Sequence, residues 1–331
     1  MVFVNRFVAY SEADAIVPDR ALKHLTQGLL TVEVEFPTSA LFTDTLDVIR
    51  RKVRRSFEMP QSSPATHDGT LKTTLADHVA IIGGGNGGMG EAAAWRFARE
   101  GAKVAVHFSG LTGASGRRAE RIVDNLRKSG FEAISVKADV RSLPEVERAV
   151  GRVVSKWGKV SSLVSFVGLP SSFDRWQEDP LELSEQELLS AVKIDFVGSY
   201  HFIRAVRRHM KKARYGKIVL VSSSPTIYGD DAGYRYVLGK DLNRITVKSL
   251  AARLIREDGV YLNAIAPGTV DTPANRVNYG EKEWKELVGQ IPIGRAGLPD
   301  EIAGVALFLC SHDSDFVVGQ TIVVDGGEVR L

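Results

Sequence analysis

Three side chains in the second half of the chain have the types and spacing for proton transfer. Tyr236 and Lys240 are four residues apart, so on a helix they share one face. A phenol beside an ammonium is a chemical device, because the positive charge favours phenolate and lowers the tyrosine's pKa. Such a group can exchange a proton near neutral pH. Ser223 stands just after an apolar run, Lys217 to Val221, that reads as a buried strand. Its hydroxyl can be presented to the same spot. Tyr228 and Tyr234 lie close by, but neither has a lysine four residues later.

These residues need a scaffold, and the pattern from about Ala76 onward supplies one. Short apolar strands alternate with helical stretches, which argues for a parallel sheet with helices on both faces. His78 to Ile82 reads as the first strand. The run Gly83-Gly84-Gly85-Asn86-Gly87-Gly88-Met89-Gly90 follows, and then a helix from Glu91 to Glu100. Strand, glycine turn and helix start in that order make a site for a pyrophosphate. Glycines let the backbone approach closely, and the helix N-terminus offers free N–H groups and a positive dipole end. Two registers fit: Gly85, Gly87 and Gly90, or Gly84, Gly88 and Gly90.

Lys103 to Phe108 reads as the second strand, ending His107-Phe108-Ser109-Gly110. A carboxylate at this point holds a ribose 2′-hydroxyl in NAD enzymes. None appears before Glu120, and an acid would repel a 2′-phosphate, so its absence permits NADP. Ser109, Arg117 and Arg118 are candidate phosphate contacts, the arginines by bidentate pairing. His107 reads as a strand-end residue without a catalytic role. Ser184 and Glu187 form a capping box for a long helix running towards Lys211, and this helix carries Asp195.

Together these features resemble the short-chain dehydrogenase/reductase family, over about residues 76 to 328. The matching segments include Ala138-Asp139-Val140, Asn263 to Pro273, Ile293 to Ala303 and Gly319 to Gly327. The resemblance implies a Rossmann-type doubly wound parallel sheet. It implies that Ser223, Tyr236 and Lys240 form the catalytic set of a ketoreductase similar to the 3-oxoacyl-carrier-protein reductases. The pyrophosphate would lie at Gly84, Gly85, Asn86, Gly88, Met89 and Gly90. Ser109, Asp139 and Val140 would serve the adenosine end, with Asp139 accepting a hydrogen bond from the adenine side. Gly168, Tyr236, Lys240, Pro267, Gly268, Val270 and Thr272 would serve the nicotinamide end. The region from Ala274 to Glu286 would be a mobile lid over the substrate.

Gly83, Ser165, Phe166 and Asp195 depart from the family pattern, and Gly87 is a further difference from NADP-using relatives. Gly83 replaces a usual threonine, and Ser165-Phe166-Val167-Gly168 replaces Asn-Asn-Ala-Gly. Gly87 sits where many NADP-using relatives carry a base. Asp195 stands where the family usually has an asparagine supporting a water beside the lysine. A carboxylate there would raise the pKa of Lys240, tether its ammonium and oppose ionisation of the tyrosine. The expected activity is NADP(H)-dependent reduction of a small or carrier-bound carbonyl, with NAD(H) as the other cofactor. A cyclase, isomerase or dehydratase that keeps the dinucleotide site is an alternative, as is a cofactor-sensing partner protein.

The chain has 331 residues, 44% of them hydrophobic and 25% charged, which are globular values. A net charge of +3 is too small to imply nucleic acid. The single cysteine, Cys310, excludes an intramolecular disulfide and a cysteine-based metal cluster. No apolar run approaches the roughly 20 residues of a membrane span. Met1 to Arg6 lacks the basic start and apolar block of a secretory signal, so a cytoplasmic protein is expected. Family members are usually homo-dimers or tetramers.

Residues 77–331 would form the sheet domain, preceded by a linker at 59–76. Residues 1–58 would form a small α+β extension. There Val32, Val34 and Phe36 alternate as in a strand, and Phe42, Leu46, Ile49, Val53 and Phe57 fall at helical spacing. Arg50, Arg51, Lys52, Arg54 and Arg55 make that helix basic.

Overall fold

The computed structural model describes residues 75–169, 173–230 and 232–329. The expected N-terminal strand and basic helix, and nearly all of the linker, lie outside the described residues.

The elements run in the order β1 (Val79–Gly83), α1 (Gly88–Arg99), β2 (Lys103–Phe108), α2 (Gly113–Lys128), β3 (Ala133–Lys137), α3 (Leu143–Trp157) and β4 (Ser162–Ser165). There follow α4 (Phe173–Trp176), α5 (Glu185–Ala191), a π-helical segment (Val192–Val197), α6 (Gly198–Ala213), β5 (Gly216–Val221) and α7 (Pro225–Tyr228). The chain continues through α8 (Tyr234–Asp258), β6 (Val260–Pro267), α9 (Pro273–Asn278), α10 (Glu281–Gly289), α11 (Pro299–Cys310) and β7 (Thr321–Val324). The seven strands form one parallel sheet in the order β3-β2-β1-β4-β5-β6-β7.

Helices cover both faces, so the inner strands are buried throughout; every residue of β1, β4 and β5 is buried. Alternate residues feed opposite cores. Ala80, Ile82, Val104 and Val106 pack with Phe97 of α1, Ile122 and Leu126 of α2 and Ile302 of α11. Val79, Ile81, Leu163 and Leu220 pack with Val150 of α3, Phe202, Val206 and Met210 of α6 and Val247 of α8.

The chain first builds outward from β1 to β3, then returns to lay β4 on the other side of β1. That reversal opens a crevice at the carboxyl ends of β1 and β4, where ligands of doubly wound sheets bind. The expected long helix after Ser184 is continuous in path but passes through the π-helical turn. Its capping box is formed: Ser184 Oγ accepts from Glu187 N, and Glu187 Oε2 accepts from Ser184 N.

Candidate active site

At the head of the crevice the glycine turn closes on itself. Gly87 N donates to Gly84 O at 3.0 Å, and α1 begins with Gly87 as its N-cap. The first amides of α1 precede any intrahelical acceptor and remain available to an anion. A fit test decides between the two glycine registers. Gly84 has φ +66°, and a Cβ there would lie 3.0 Å from Phe166 O. A Cβ on Gly85 would lie 2.8 Å from Ile82 O, one on Gly88 3.0 Å from Thr272 Cβ, and one on Gly90 would strike Gly84 O. Gly87 meets only Gly84 O, at 3.3 Å. The constrained set is therefore Gly84, Gly85, Gly88 and Gly90, with no demand for glycine at 87. Such a bare backbone cradle fits a pyrophosphate.

Deeper in the crevice, β5 and α8 bring Ser223, Tyr236 and Lys240, the expected proton-transfer residues, to one end of the sheet. Ser223 is buried, and its Oγ donates to Pro267 O at 3.4 Å. Tyr236 sits in the first turn of α8, with Lys240 one turn on and its Nζ 5.7 Å from the tyrosine ring centroid. Lys240 Nζ pairs with Asp195 Oδ1 at 2.8 Å and donates to Val167 O at 3.1 Å. Asp195 Oδ2 accepts from Leu169 N at 2.8 Å. The lysine is 5% exposed and the aspartate 1%. Burial is the largest single influence and opposes the lysine's charge, but Asp195 and Tyr236 together outweigh it, and the pKa lies above its ordinary value.

Asp195 reaches the lysine from the π-helical segment, a type of local widening common at functional sites. Two glycines let these partners meet. A Cβ on Gly168 would collide with Lys240 Nζ and lie 2.8 Å from Asp195 Oδ1. One on Gly239 would lie 3.0 Å from Asp195 Cβ, so the two helices cross in close contact there.

A sequence profile for the family described as enoyl-(acyl carrier protein) reductase matches residues 84–328. The chain belongs to the short-chain dehydrogenase/reductase family. It is 32% identical over 256 residues to an L-rhamnose 1-dehydrogenase (NAD(P)+) of Azotobacter vinelandii, covering 76% of this chain and 97% of that protein. It is 32% identical over 266 residues to the 3-oxoacyl-acyl-carrier-protein reductase of Thermotoga maritima, covering 77% and 99%. The solved structure of gox2181 superposes with a TM-score of 0.70 at 29% identity, covering 78% of this chain and 97% of its own. A dehydrogenase/reductase from Sinorhizobium meliloti superposes with a TM-score of 0.69 at 26% identity, covering 78% and 98%.

Three more of the residues expected from this family follow β6. Thr272 is buried and caps α9, accepting from Asn275 N at 3.2 Å. Val270, also buried, forms a bridge with Gly297. Gly268 is crowded by the chain's end: a Cβ there would lie 2.6 Å from Glu328 Oε2. The region expected as a lid forms α9 and most of α10.

At the adenosine end, Asp139 follows β3 rather than ending it. Its carboxylate is gripped by Arg141, at 2.9 Å and 3.0 Å from Nε and 2.6 Å from Nη2, which holds its pKa down. An adenine contact would share that carboxylate with the arginine. Val140 O pairs with His201 Nδ1 at 2.8 Å.

Of the three candidate phosphate contacts after β2, Arg118 is tied to Glu91 on α1 at 3.1 Å. Ser109 Oγ accepts from Leu111 N at 3.4 Å. Arg117 remains over the first turn of α2, its Nη1 3.2 Å from where a Gly113 Cβ would sit.

Two contributors escaped the sequence reading, Lys137 and Glu328, and two more, Trp176 and His107, have a fuller role than it gave them. Lys137 lies opposite Phe108 in the sheet, and its stem folds over Gly110. Strand pairing alone would reveal it. Trp176 stacks on Tyr236, ring centroids 5.5 Å apart, and its carbonyl accepts from Gly233 N at 2.8 Å. It thus braces the start of α8. Glu328 accepts from Ser224 Oγ at 3.4 Å, and burial raises its pKa. The fourth is His107, a polar residue buried among the apolar residues of β2.

Among the described residues no cluster fits a metal ion, and no helix is long and apolar enough to cross a membrane.

Proposed function

We propose that this chain reduces a ketone or 3-oxoacyl-type carbonyl to an alcohol with NADPH, using Tyr236, Lys240 and Ser223. The observation that carries the reading is the buried Lys240 ammonium fixed between Asp195 and Val167 O, one helical turn from Tyr236. When bound, the reduced nicotinamide supplies the hydride that the carbonyl carbon receives. As the new C–H bond forms, the carbonyl π electrons move to oxygen, and Tyr236 gives that oxygen its hydroxyl proton. Ser223 turns its hydroxyl from the long bond to Pro267 O towards the same oxygen, orienting it and stabilising its charge. Lys240 sets a permanent positive charge behind the tyrosine, and Asp195 holds that charge in place.

The first turn of α2 contains no acid, Arg117 lies over the start of that helix, and the Lys137 stem lies over Gly110 just after β2. That pattern supports a 2′-phosphate and hence NADPH over NADH. Relatives named for rhamnose, cyclohexanol and 3-oxoacyl carrier protein support chemistry between an alcohol and a carbonyl.

The test is titration of the purified protein with NADPH and NADH, then absorbance of the reduced nicotinamide with a panel of carbonyl compounds. Oxidation with one ketone class is expected. Tyr236→Phe should lower turnover by roughly 10²- to 10⁴-fold with cofactor binding kept. Near-normal turnover in that variant sinks the assignment.

A further inference from the structure

His107 is the last polar residue before the end of β2, and it is 2% exposed. Both of the first two amides of the glycine turn end on it. Gly84 N donates to its Nδ1 at 3.0 Å, and Gly85 N donates to its carbonyl oxygen at 2.9 Å. On the far side of the ring, Nε2 lies 3.0 Å from Ala138 O. A carbonyl only accepts, so Nε2 carries the proton, and Nδ1 must be bare to accept from Gly84. The hydrogen-bond partners therefore specify one neutral tautomer.

Its surroundings keep that tautomer. Phe202 of α6 meets the ring edge-on with centroids 4.9 Å apart. Asp139, beyond Ala138, is the charged group acting on the ring and favours the imidazolium, but Arg141 holds that carboxylate. Burial dominates and brings the imidazole down to about 4, so it is neutral at ordinary pH.

We infer that His107 is a positioning residue that pins the glycine turn to the end of β3, fixing the pyrophosphate cradle relative to the adenosine loop. Gly84 is the right place to pin. It takes a left-handed conformation, its carbonyl accepts from Gly87 N, and the close approach of Gly90 is measured against it. If Gly84 drifts, the start of α1 loses its reference point. The consequence for ligand binding rests on reading the turn as the cofactor site; the pinning itself does not.

Three substitutions separate the two side-chain bonds. In His107→Asn, Oδ1 falls near the position of Nδ1 and can still accept from Gly84 N, while the reach to Ala138 is lost. In His107→Gln, the longer amide can donate to Ala138 O but offers no acceptor at the Nδ1 position. His107→Phe removes both bonds and keeps the ring. The first readout is amide hydrogen exchange at Gly84 in the protein without added cofactor, with ¹⁵N NMR of the imidazole reporting its tautomer. The second is the Kd for NADPH, measured separately from kcat at saturating cofactor.

The expected result is a bare Nδ1 in the wild type, slow exchange at Gly84 in wild type and Asn, and fast exchange in Gln and Phe. The Kd should rise by about tenfold in Gln and Phe, as for one amide left unpaired, and by a smaller factor in Asn, which keeps Gly84 but releases Ala138, with kcat changed little. A wild-type Kd in Asn would mean the turn is not held to β3. Equal exchange in Asn and Gln, or a protonated Nδ1, overturns the inference. If the wild type binds no dinucleotide, the reading of the cofactor site fails instead, and the exchange pattern still decides the pinning.

Discussion

Asp195→Asn is the most informative single change, because it removes one charge and few atoms. The pair with Lys240 is 2.8 Å long and nearly sealed from water. Two unit charges at that distance attract by roughly 6 kcal/mol at an effective dielectric constant of about 20. Part of that offsets the cost of burying both ions, so the loss on breaking the pair is smaller. Removing one partner of a buried pair costs about 3 to 5 kcal/mol. Asparagine keeps one oxygen, but two donors need acceptors here: the Lys240 ammonium and Leu169 N. The amide nitrogen must then face one of them. A loss of about 2 to 4 kcal/mol is expected.

The effect of pH follows from the same pair. Lys240 now titrates above its ordinary 10.5, so its contribution to stability is complete below that value and is lost as the pH rises through the folded pKa. Without the carboxylate, burial becomes the dominant influence and lowers the lysine's pKa. The unfolded lysine then binds a proton more readily than the folded one. The variant's deficit is therefore largest below its lowered folded pKa, and it narrows as the pH rises from there to 10.5 and on through the wild type's raised pKa. Urea melts at pH 7 and pH 10.5 measure this directly. The alkaline limb of the kcat/KM profile should also change, because the positive charge beside Tyr236 is then lost at lower pH. A variant within about 0.5 kcal/mol of wild type at pH 7, with a superimposable rate profile, would refute the reasoning, since that is the scatter of a neutral surface change.

Gly168→Ala should preserve the fold by circular dichroism but force Lys240 and Asp195 apart, lowering turnover by about tenfold or more, as a 1 Å misplacement can; unchanged turnover would mean the pair is dispensable. Reversing charge at the end of β2 with Arg117→Glu and Lys137→Glu together should move the ratio of NADPH to NADH affinity towards NADH by roughly 10- to 100-fold, the size expected for about two charge-assisted contacts. An unaltered ratio in paired titrations would place the 2′-phosphate elsewhere.

Much of the fold was legible because its signals are local. Lys103–Phe108 is a strand with the bounds its apolar run predicts, and Ser184 with Glu187 forms the expected capping box. The strand that opens the sheet begins one residue later than expected and runs on to Gly83. The glycine turn was recognisable, and although spacing alone allowed two registers, the resemblance favoured the one with Gly84, Gly88 and Gly90. Nothing near Gly87 in sequence says that Gly88, rather than Gly87, abuts Thr272 some 180 residues away. The roles of His107 and Lys137 were hidden for the same reason. Each acts on a neighbouring strand or turn, and strand pairing becomes known only when the sheet is assembled.

The departures at Asp195 and around Gly168 belong together physically. A direct 2.8 Å ion pair needs the carboxylate, the lysine and the intervening turn within one small volume. The chain meets that demand with Gly168, which the family pattern also has, under the pair, with Gly239 under Asp195, and with one turn of helix widened into a π segment that carries the acid. The Leu169 amide then fixes the second carboxylate oxygen, so the acid cannot rotate away from the lysine. A neutral amide at 195 would not use both contacts. The glycines, the π turn and the carboxylate therefore specify one another, which is why the change expected to disturb Tyr236's proton transfer is best sought on a neighbouring helix, beneath the lysine.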